Sequence, residues 1–207
     1  MPKIVESDVR RSELADVTAR LIARNGLGAA TMRDVAAEAG LTTGSVTHYF
    51  ADKRELLLFT LDASLQRRCG RRHSTAVVSP AAALHASLEG ALPLDDDRHR
   101  HRHWMVTAAF CALAAGDAEL AAVQRNAYRE FRETVTEQLV ACGFAEKRAR
   151  REAEWLIAAV DGVAVQALFD QESWPATRQS AMLVQALASI ECDGAARSPG
   201  VHRKEST

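Results

Sequence analysis

The chain has 207 residues, of which 47% are hydrophobic, 26% charged and 5% aromatic, and its formal net charge is −1. A chain this apolar is not intrinsically disordered, and its length is enough to bury a sizeable core. The near-neutral charge excludes a nucleic-acid partner held by bulk positive charge alone.

Ala and Leu are abundant and there is no alternating Val/Ile/Thr run bounded by turns, so the fold class is all-α. No apolar run reaches about 18 residues without a charge, and the first residues lack the apolar stretch of a signal peptide. Cys69, Cys111, Cys142 and Cys192 stand singly, with no Cys-x-x-Cys, as reduced thiols do. These features point to a cytoplasmic protein without membrane contact.

In chain order, a first helix is predicted over residues 7–25, with Leu14, Val17, Leu21 and Ile22 on its buried stripe and Gly26 as its stop. Thr31 then offers an N-cap hydroxyl, with Asp34 at the capping-box spacing. Met32, Val35, Ala36 and Ala39 repeat at the spacing of one helix face, and Gly40 can take the left-handed conformation that ends it. Thr42 caps the next short helix, which turns Val46 and Phe50 inward and leaves Thr43, Ser45, Thr47 and His48 pointing outward.

Asp52 caps a longer helix carrying Leu56, Leu57, Phe59 and Leu65 towards Arg72. A break over 71–80 precedes a helix at 81–92, closed by Pro93, and a polar loop at 94–97. Further helices are predicted at 99–116, at 118–141 behind the cap Asp117, at 146–171 behind the stop Gly143, and from Pro175 to about residue 191. Residues 193–207 are Gly, Ser and charge and read as a disordered tail. The total is about nine helices, with boundaries at 1–52, 53–192 and 193–207.

A short, acid-free helix with hydroxyls and a histidine on its open face suits a DNA major groove. Between Met1 and Thr60 there are eight Lys/Arg and eight Asp/Glu, so phosphate contact must come from local placement. Residues 41–51 contain no acid, Lys53 and Arg54 follow, and Lys3, Arg10 and Arg11 lead in. The predicted contacts are Thr42, Thr43, Ser45, Thr47 and His48 at the groove, with Gly44 allowing close backbone approach, Tyr49 adding a hydroxyl, and Arg33 and Lys53 on phosphates.

The last two helices are apolar over too wide an arc for one buried stripe. Trp155, Leu156, Ile157, Val160, Val163, Ala164, Ala167 and Leu168 lie on the eighth, and Met182, Leu183, Val184, Ala186, Leu187 and Ile190 on the ninth. The run of acids, histidines and arginines at 95–103 interleaves cations with the histidines and has no Cys, so it reads as a solvated helix start and no metal is expected. The Arg67-Arg68 and Arg71-Arg72 cluster reads as a solvated helix end. No nucleophile elbow, Walker loop or His-Glu-x-x-His occurs, so neither an enzyme nor a cofactor is expected.

Taken together, Asn25-Gly26, Thr31-Met32-Arg33-Asp34-Val35-Ala36, Ala39-Gly40-Leu41, Gly44, His48-Tyr49-Phe50 and Asp52-Lys53-Arg54-Glu55-Leu56-Leu57 resemble the DNA-binding domain of the TetR/AcrR transcription regulators. Thr47 departs from the pattern, since most members carry a Tyr there that touches a phosphate. A small polar residue before His-Tyr-Phe, and Ala158-Ala159-Val160-Asp161-Gly162-Val163, are similar to the subgroup containing the choline-responsive repressor of betaine synthesis.

The resemblance implies a three-helix reading head, and a four-helix bundle formed by the last two helices of each protomer in a homodimer. It also implies a small-molecule effector that displaces a double-stranded operator. Trp104, Met105, Phe110, Tyr128, Phe131 and Trp155 lie on the helices that enclose the family's cavity; they are either core packing or an aromatic lining that could hold a flat apolar molecule or a quaternary amine, and Asp161 is either its counter-charge or a hydrogen-bonded structural carboxylate at the dimer face.

Overall fold

A computed structural model describes residues 2–69, 79–94 and 98–195. Its order is α1 (Pro2–Asn25), a 3₁₀ turn (Leu27–Ala29), α2 (Met32–Glu38), α3 (Thr43–Thr47), α4 (Lys53–Cys69), α5 (Pro80–Gly90), α6 (Arg98–Ala114), α7 (Ala118–Ala141), α8 (Glu146–Phe169) and α9 (Ala176–Ala195). Among the described residues there are nine α-helices and no strand, as the composition implies.

The boundaries differ from the expected ones where a local cap or turn sets them. Helix α1 begins at Pro2, ahead of residue 7; a proline at the first helical position gives up only an N–H that has no helical partner. Helix α5 starts at Pro80 because the Ser79 hydroxyl accepts from the Ala82 N–H at 3.2 Å. Helix α6 stops at Ala114, where the Gly116 N–H turns back to the Leu113 carbonyl at 3.0 Å. Helix α9 runs to Ala195, so the first three residues of the expected tail are helical. The remaining tail residues 196–207, the loop residues 95–97 and the break at 70–78, with Arg71 and Arg72, lie outside the described residues, as do the side chains of Lys3, Arg68, Cys69, His99 and Cys192.

Three apolar clusters organise the chain. Leu14, Val17 and Leu21 of α1 close over Val35, Ala36, Val46 and Phe50, with Leu56 from the first turn of α4 completing this N-terminal core. The next face of α1, with Ala19 and Ile22, meets Leu61 and Leu65 of α4, Val106 and Phe110 of α6, and Leu120 and Ala127 of α7. A third cluster joins α5, α7, α8 and α9 through residues such as Leu88, Val135, Leu156, Val160 and Leu183. Helix α4 thus enters two cores, and α1 packs on α4 and α6 as well as on α2.

Helices α8 and α9 keep an apolar face outside the core. Leu156, Val160 and Ala164 are buried, yet Trp155, Val165 and Phe169 on α8 and Met182 and Val184 on α9 are exposed in the single chain. The wide apolar arc read from the sequence therefore divides into an inner face that packs and an outer face that does not.

Phe110 is fully buried where α1, α4 and α6 meet. Truncating it to Ala leaves a cavity in a core that both halves of the chain share, and is expected to lower stability by about 3–5 kcal/mol. Urea unfolding at a fixed protein concentration, compared with the unsubstituted chain, measures the loss.

Candidate nucleic-acid interface

Helices α2 and α3 are set by local chemistry at their ends. The Thr31 side chain caps α2 by accepting from the Asp34 N–H at 3.2 Å, and its hydroxyl in turn donates to the Asp34 carboxylate. At the other end Gly40 has φ of +67°, the Leu41 N–H reaches the Ala36 carbonyl at 2.8 Å and the Gly40 N–H reaches that of Ala37 at 3.2 Å. This paired closure ends α2 and aims the chain at α3. Thr42 then caps α3 by accepting from the Ser45 N–H at 3.1 Å.

Within α3, Val46 is fully buried and Phe50 follows it into the core. Thr42, Thr43, Gly44, Thr47 and His48 are exposed, while Ser45 and Tyr49 are half-buried. The structure therefore places the predicted groove residues on one open face. It also shows where their hydroxyls already bond: Thr42 and Ser45 share a hydrogen bond of 2.9 Å, and Thr47 donates to the Gly44 carbonyl at 3.0 Å. Thr43 has no hydrogen-bond partner among the described residues. The His48 and Tyr49 rings meet edge to face, 5.1 Å between centroids. Arg33 on α2 is exposed and Lys53 is half-buried. Neither forms an ion pair among the described residues.

Arg11, read from the sequence as a cation leading into the head, has a structural task. Its guanidinium donates to the Tyr49 carbonyl at 2.9 Å and to Glu55 Oε1 at 2.8 Å. It also lies over the rings of Phe50, at 4.5 Å, and Phe59, at 4.7 Å. The second oxygen of Glu55 accepts from the Ala51 N–H at 2.7 Å, and Asp52 caps α4 by accepting from the Glu55 N–H at 2.8 Å. The Ala51 N–H, and then Arg11, hold the Glu55 carboxyl below its ordinary range. Arg10 is paired with Glu13 at 2.6 Å on the surface. One guanidinium thus joins the end of α3, the start of α4 and α1.

A second guanidinium links the head to the rest of the chain. Arg54 donates to both oxygens of Asp117, at 2.8 and 2.9 Å, and from two nitrogens to Glu119 Oε2, at 3.0 and 2.8 Å. Asp117 caps α7 at the same time, accepting from the N–H groups of Glu119 and Leu120. Arg54 first, then these backbone donors, hold its carboxyl down at about 2. The sequence shows Asp117 as a cap; its ion pair with a residue 63 positions away is not legible there.

The six aromatic and Met candidates occupy separate environments. Trp104 is buried and donates its indole N–H to the Ala91 carbonyl at 2.6 Å. Met105 is half-buried beside it on α6. The Tyr128 hydroxyl donates to Asp161 Oδ2 at 2.7 Å, joining α7 to α8. Phe110 belongs to the core shared with α1 and α4, and Phe131 to the core of α5, α7, α8 and α9. Trp155 is 47% exposed and lines a groove of about 480 Å³ between α8 and α9, with Gly162, Met182 and Gln185. Of the histidine run, His103 is buried with Nδ1 3.3 Å from Ser64 Oγ. No cluster that could hold a metal occurs among the described residues, and none of their helices is long and apolar enough to cross a membrane.

Two family models match this arrangement. Residues 14–58 match the bacterial regulatory proteins of the tetR family, and residues 80–190 match the C-terminal domain of BetI-type transcriptional repressors. This chain belongs to the TetR family. Over 166 residues it is 32% identical to the HTH-type transcriptional regulator BetI of Burkholderia mallei, covering 79% of this chain and 84% of the relative. A transcriptional regulator from Rhodococcus superposes with a TM-score of 0.74 at 30% identity, over 88% of this chain and 96% of that one. A regulator from Saccharomonospora viridis, crystallised in complex with choline, superposes with a TM-score of 0.73 at 19% identity, over 87% and 96% of the two chains. The TetR-family chain is accordingly a DNA-binding transcriptional regulator of the repressor type, not an enzyme, and its first three helices are the family's helix-turn-helix unit.

The Arg11 network yields a prediction. Arg11→Met keeps the stem but removes the charge-assisted hydrogen bonds, which is expected to cost about 1–3 kcal/mol of stability. It should weaken DNA binding without changing its dependence on salt, because no phosphate contact is lost. Binding titrations at several salt concentrations separate this from a phosphate contact, whose loss reduces the slope. A second prediction concerns Asp117. Its carboxyl is held below the ordinary range, so its contribution is fully present above pH of about 4 and is lost as the pH falls through about 2. The difference in melting temperature between the unsubstituted chain and Asp117→Asn should stay constant from about pH 5 to 8 and shrink below about 4.

Proposed function

We propose that the chain works as a homodimer that binds a palindromic operator and releases it when a small molecule occupies the C-terminal half. The observation that carries this reading is the open face of α3, where Thr42, Thr43, Gly44, Thr47 and His48 are exposed behind the buried anchor Val46. Gly44 supports it. A Cβ there would meet only Thr42 Oγ1, at 3.8 Å, so nothing inside the protein demands a glycine. Close approach of a DNA backbone would. Ser45 and Tyr49 line the edges of the face, Arg33 and Lys53 flank it as phosphate contacts, and residues 1–52 form the head. Thr47 spends its hydroxyl proton on Gly44, so in this role it serves mainly as an acceptor or through its methyl group.

Dimerisation is assigned to the outer faces of α8 and α9, because Trp155, Phe169, Met182 and Val184 are exposed there in a single chain. A two-fold pair presents two α3 helices to successive major grooves, spaced by about 34–36 Å or somewhat more. The effector site is assigned to the junction where α6, α7 and α8 pack on one another. There the Tyr128–Asp161 pair and Trp104 and Met105 offer a carboxylate and aromatic faces, a combination suited to a quaternary amine. Phe131, in the core that Tyr128 packs against, would border it, whereas Phe110 lies in the other core and stands outside it, and Trp155 would act through the dimer face. Because a similar fold was crystallised with choline, choline is the first compound to test. Effector and operator then oppose one another, and a coupling of about 3 kcal/mol would weaken operator binding more than a hundredfold.

Selection from a random duplex pool at physiological salt is expected to enrich a palindrome. The double variant Lys53→Ala/His48→Ala should lose binding to it while remaining a dimer by sedimentation. An unenriched pool with only weak, salt-sensitive binding would point instead to a helical ligand-binding module without an operator. For the effector, Asp161→Asn should weaken choline binding more than binding of its uncharged carbon isostere, read by calorimetry. Equal losses for both would remove Asp161 as the counter-charge.

A further inference from the structure

The recognition face says which residues reach DNA; it does not say what holds that face in position relative to the C-terminal helices. Apolar packing does so on one side, through α1, α4, α6 and α7. On the other side, between the start of α4, the end of α6 and the start of α7, packing is incomplete. A hollow of about 610 Å³ lies there, lined by Leu57, Leu58, Phe110, Leu113, Lys53 and Arg54, and Leu113 is left 45% exposed. Asp117 stands at the same hollow. The four hydrogen bonds from Arg54 to Asp117 and Glu119 span this gap, joining the first turn of α4 to the first turn of α7. Further along the same pair of helices the charges oppose each other: Asp62 on α4 faces Glu130 on α7, and burial together with Glu130 raises the Asp62 carboxyl above its ordinary range. Gln66 of α4 offsets this by donating to Glu130 at 3.2 Å, and Leu61 and Leu65 pack with Leu120 and Ala127, so the Arg54 contacts add a charged anchor at the open end of a helix pair that is packed in its middle.

Surface ion pairs contribute little to stability as single contacts; fork geometry shared between two carboxylates is the arrangement in which they fix a position. Here the position is that of α4, whose first turn follows α3 after the short turn at residues 48–52 and carries Lys53. A head held in one orientation loses less freedom on binding DNA than a head that swings over the hollow.

We propose that Arg54, Asp117 and Glu119 form an ionic clamp that holds the reading head in its DNA-binding position, so that two acidic residues of the clamp act as positioning residues for operator binding. The inference rests on the DNA-reading function proposed above, and it makes a prediction of unusual sign. Two carboxylates close to a DNA-facing surface repel phosphates, so their neutralisation on electrostatic grounds alone strengthens binding. The clamp requires the opposite.

The test uses the full-length protein and the operator selected by the unsubstituted chain. Glu119→Gln is expected to weaken operator binding about threefold or more at low salt with an unchanged melting temperature, and the cap-preserving Asp117→Asn to weaken it at least as much, beyond what its small loss of melting temperature accounts for. Adding Glu119→Gln to Arg54→Gln should change little more than Arg54→Gln alone, because partners in one contact are not additive. Hydrogen exchange, which needs no operator, is expected to show faster exchange through α3 and the first turns of α4 in Glu119→Gln, with α8 and α9 unaffected. Tighter or unchanged operator binding by both acid variants, or unchanged exchange in α3 and α4, would overturn the clamp. Failure of the unsubstituted chain to select an operator would fall on the proposed function instead, with the exchange measurement still deciding the clamp.

Discussion

The seam along α4 is the constraint on which the rest of the molecule depends. Leu56 completes the core of the head, and Leu61 and Leu65, one and two turns further on, sit in the core shared with α1, α6 and α7. A helix buried in two cores cannot shift in one without a response in the other, because packed interiors are not continuously deformable. Helix α1 reinforces this with two faces of its own, Leu14 and Val17 towards the head and Ala19 and Ile22 towards α4 and α6. The reading head is thus mechanically continuous with the C-terminal helices.

Polar contacts refine what the apolar seam sets. Arg11 binds the carbonyl at the end of α3, the carboxylate of Glu55 and two aromatic faces, which fixes the reading helix against the seam. Arg54 reaches outward from the same end of α4 to the cap of α7. These two arginines look alike in sequence, as surface cations near a DNA-facing motif. Their partners give them structural tasks, and the cations on α2 and α4 with no ion pair among the described residues are Arg33 and Lys53.

Much of this was readable before the structure, for a physical reason. Caps, glycine stops and apolar periodicity depend on residues within one or two turns, so Thr31, Gly40, Thr42, Asp52 and Asp117 announce helix ends directly. The open face of α3 follows from the burial of Val46 and Phe50 in the same way. Contacts between residues 38 to 65 positions apart leave no local trace, so neither the Arg11 nor the Arg54 partnership could be inferred. The aromatic candidates show the same limit. Spacing places Phe110, Phe131 and Trp155 on suitable helices, but it does not separate a ring in a shared core from one on an outer face.

The outer faces of α8 and α9 carry a further consequence. A bacterium that holds several proteins of this fold confronts each with many similar surfaces, so pairing with the correct copy is a problem of discrimination as much as affinity. Trp155, Phe169, Met182 and Val184 differ widely in size and shape, and the proposed two-fold pairing would have to accommodate each of them against the same set on its partner. Used in that proposed pairing, a surface of this kind would work as an address: it would reject a mismatched relative by steric conflict, and so keep one regulator's signal from being mixed into another's.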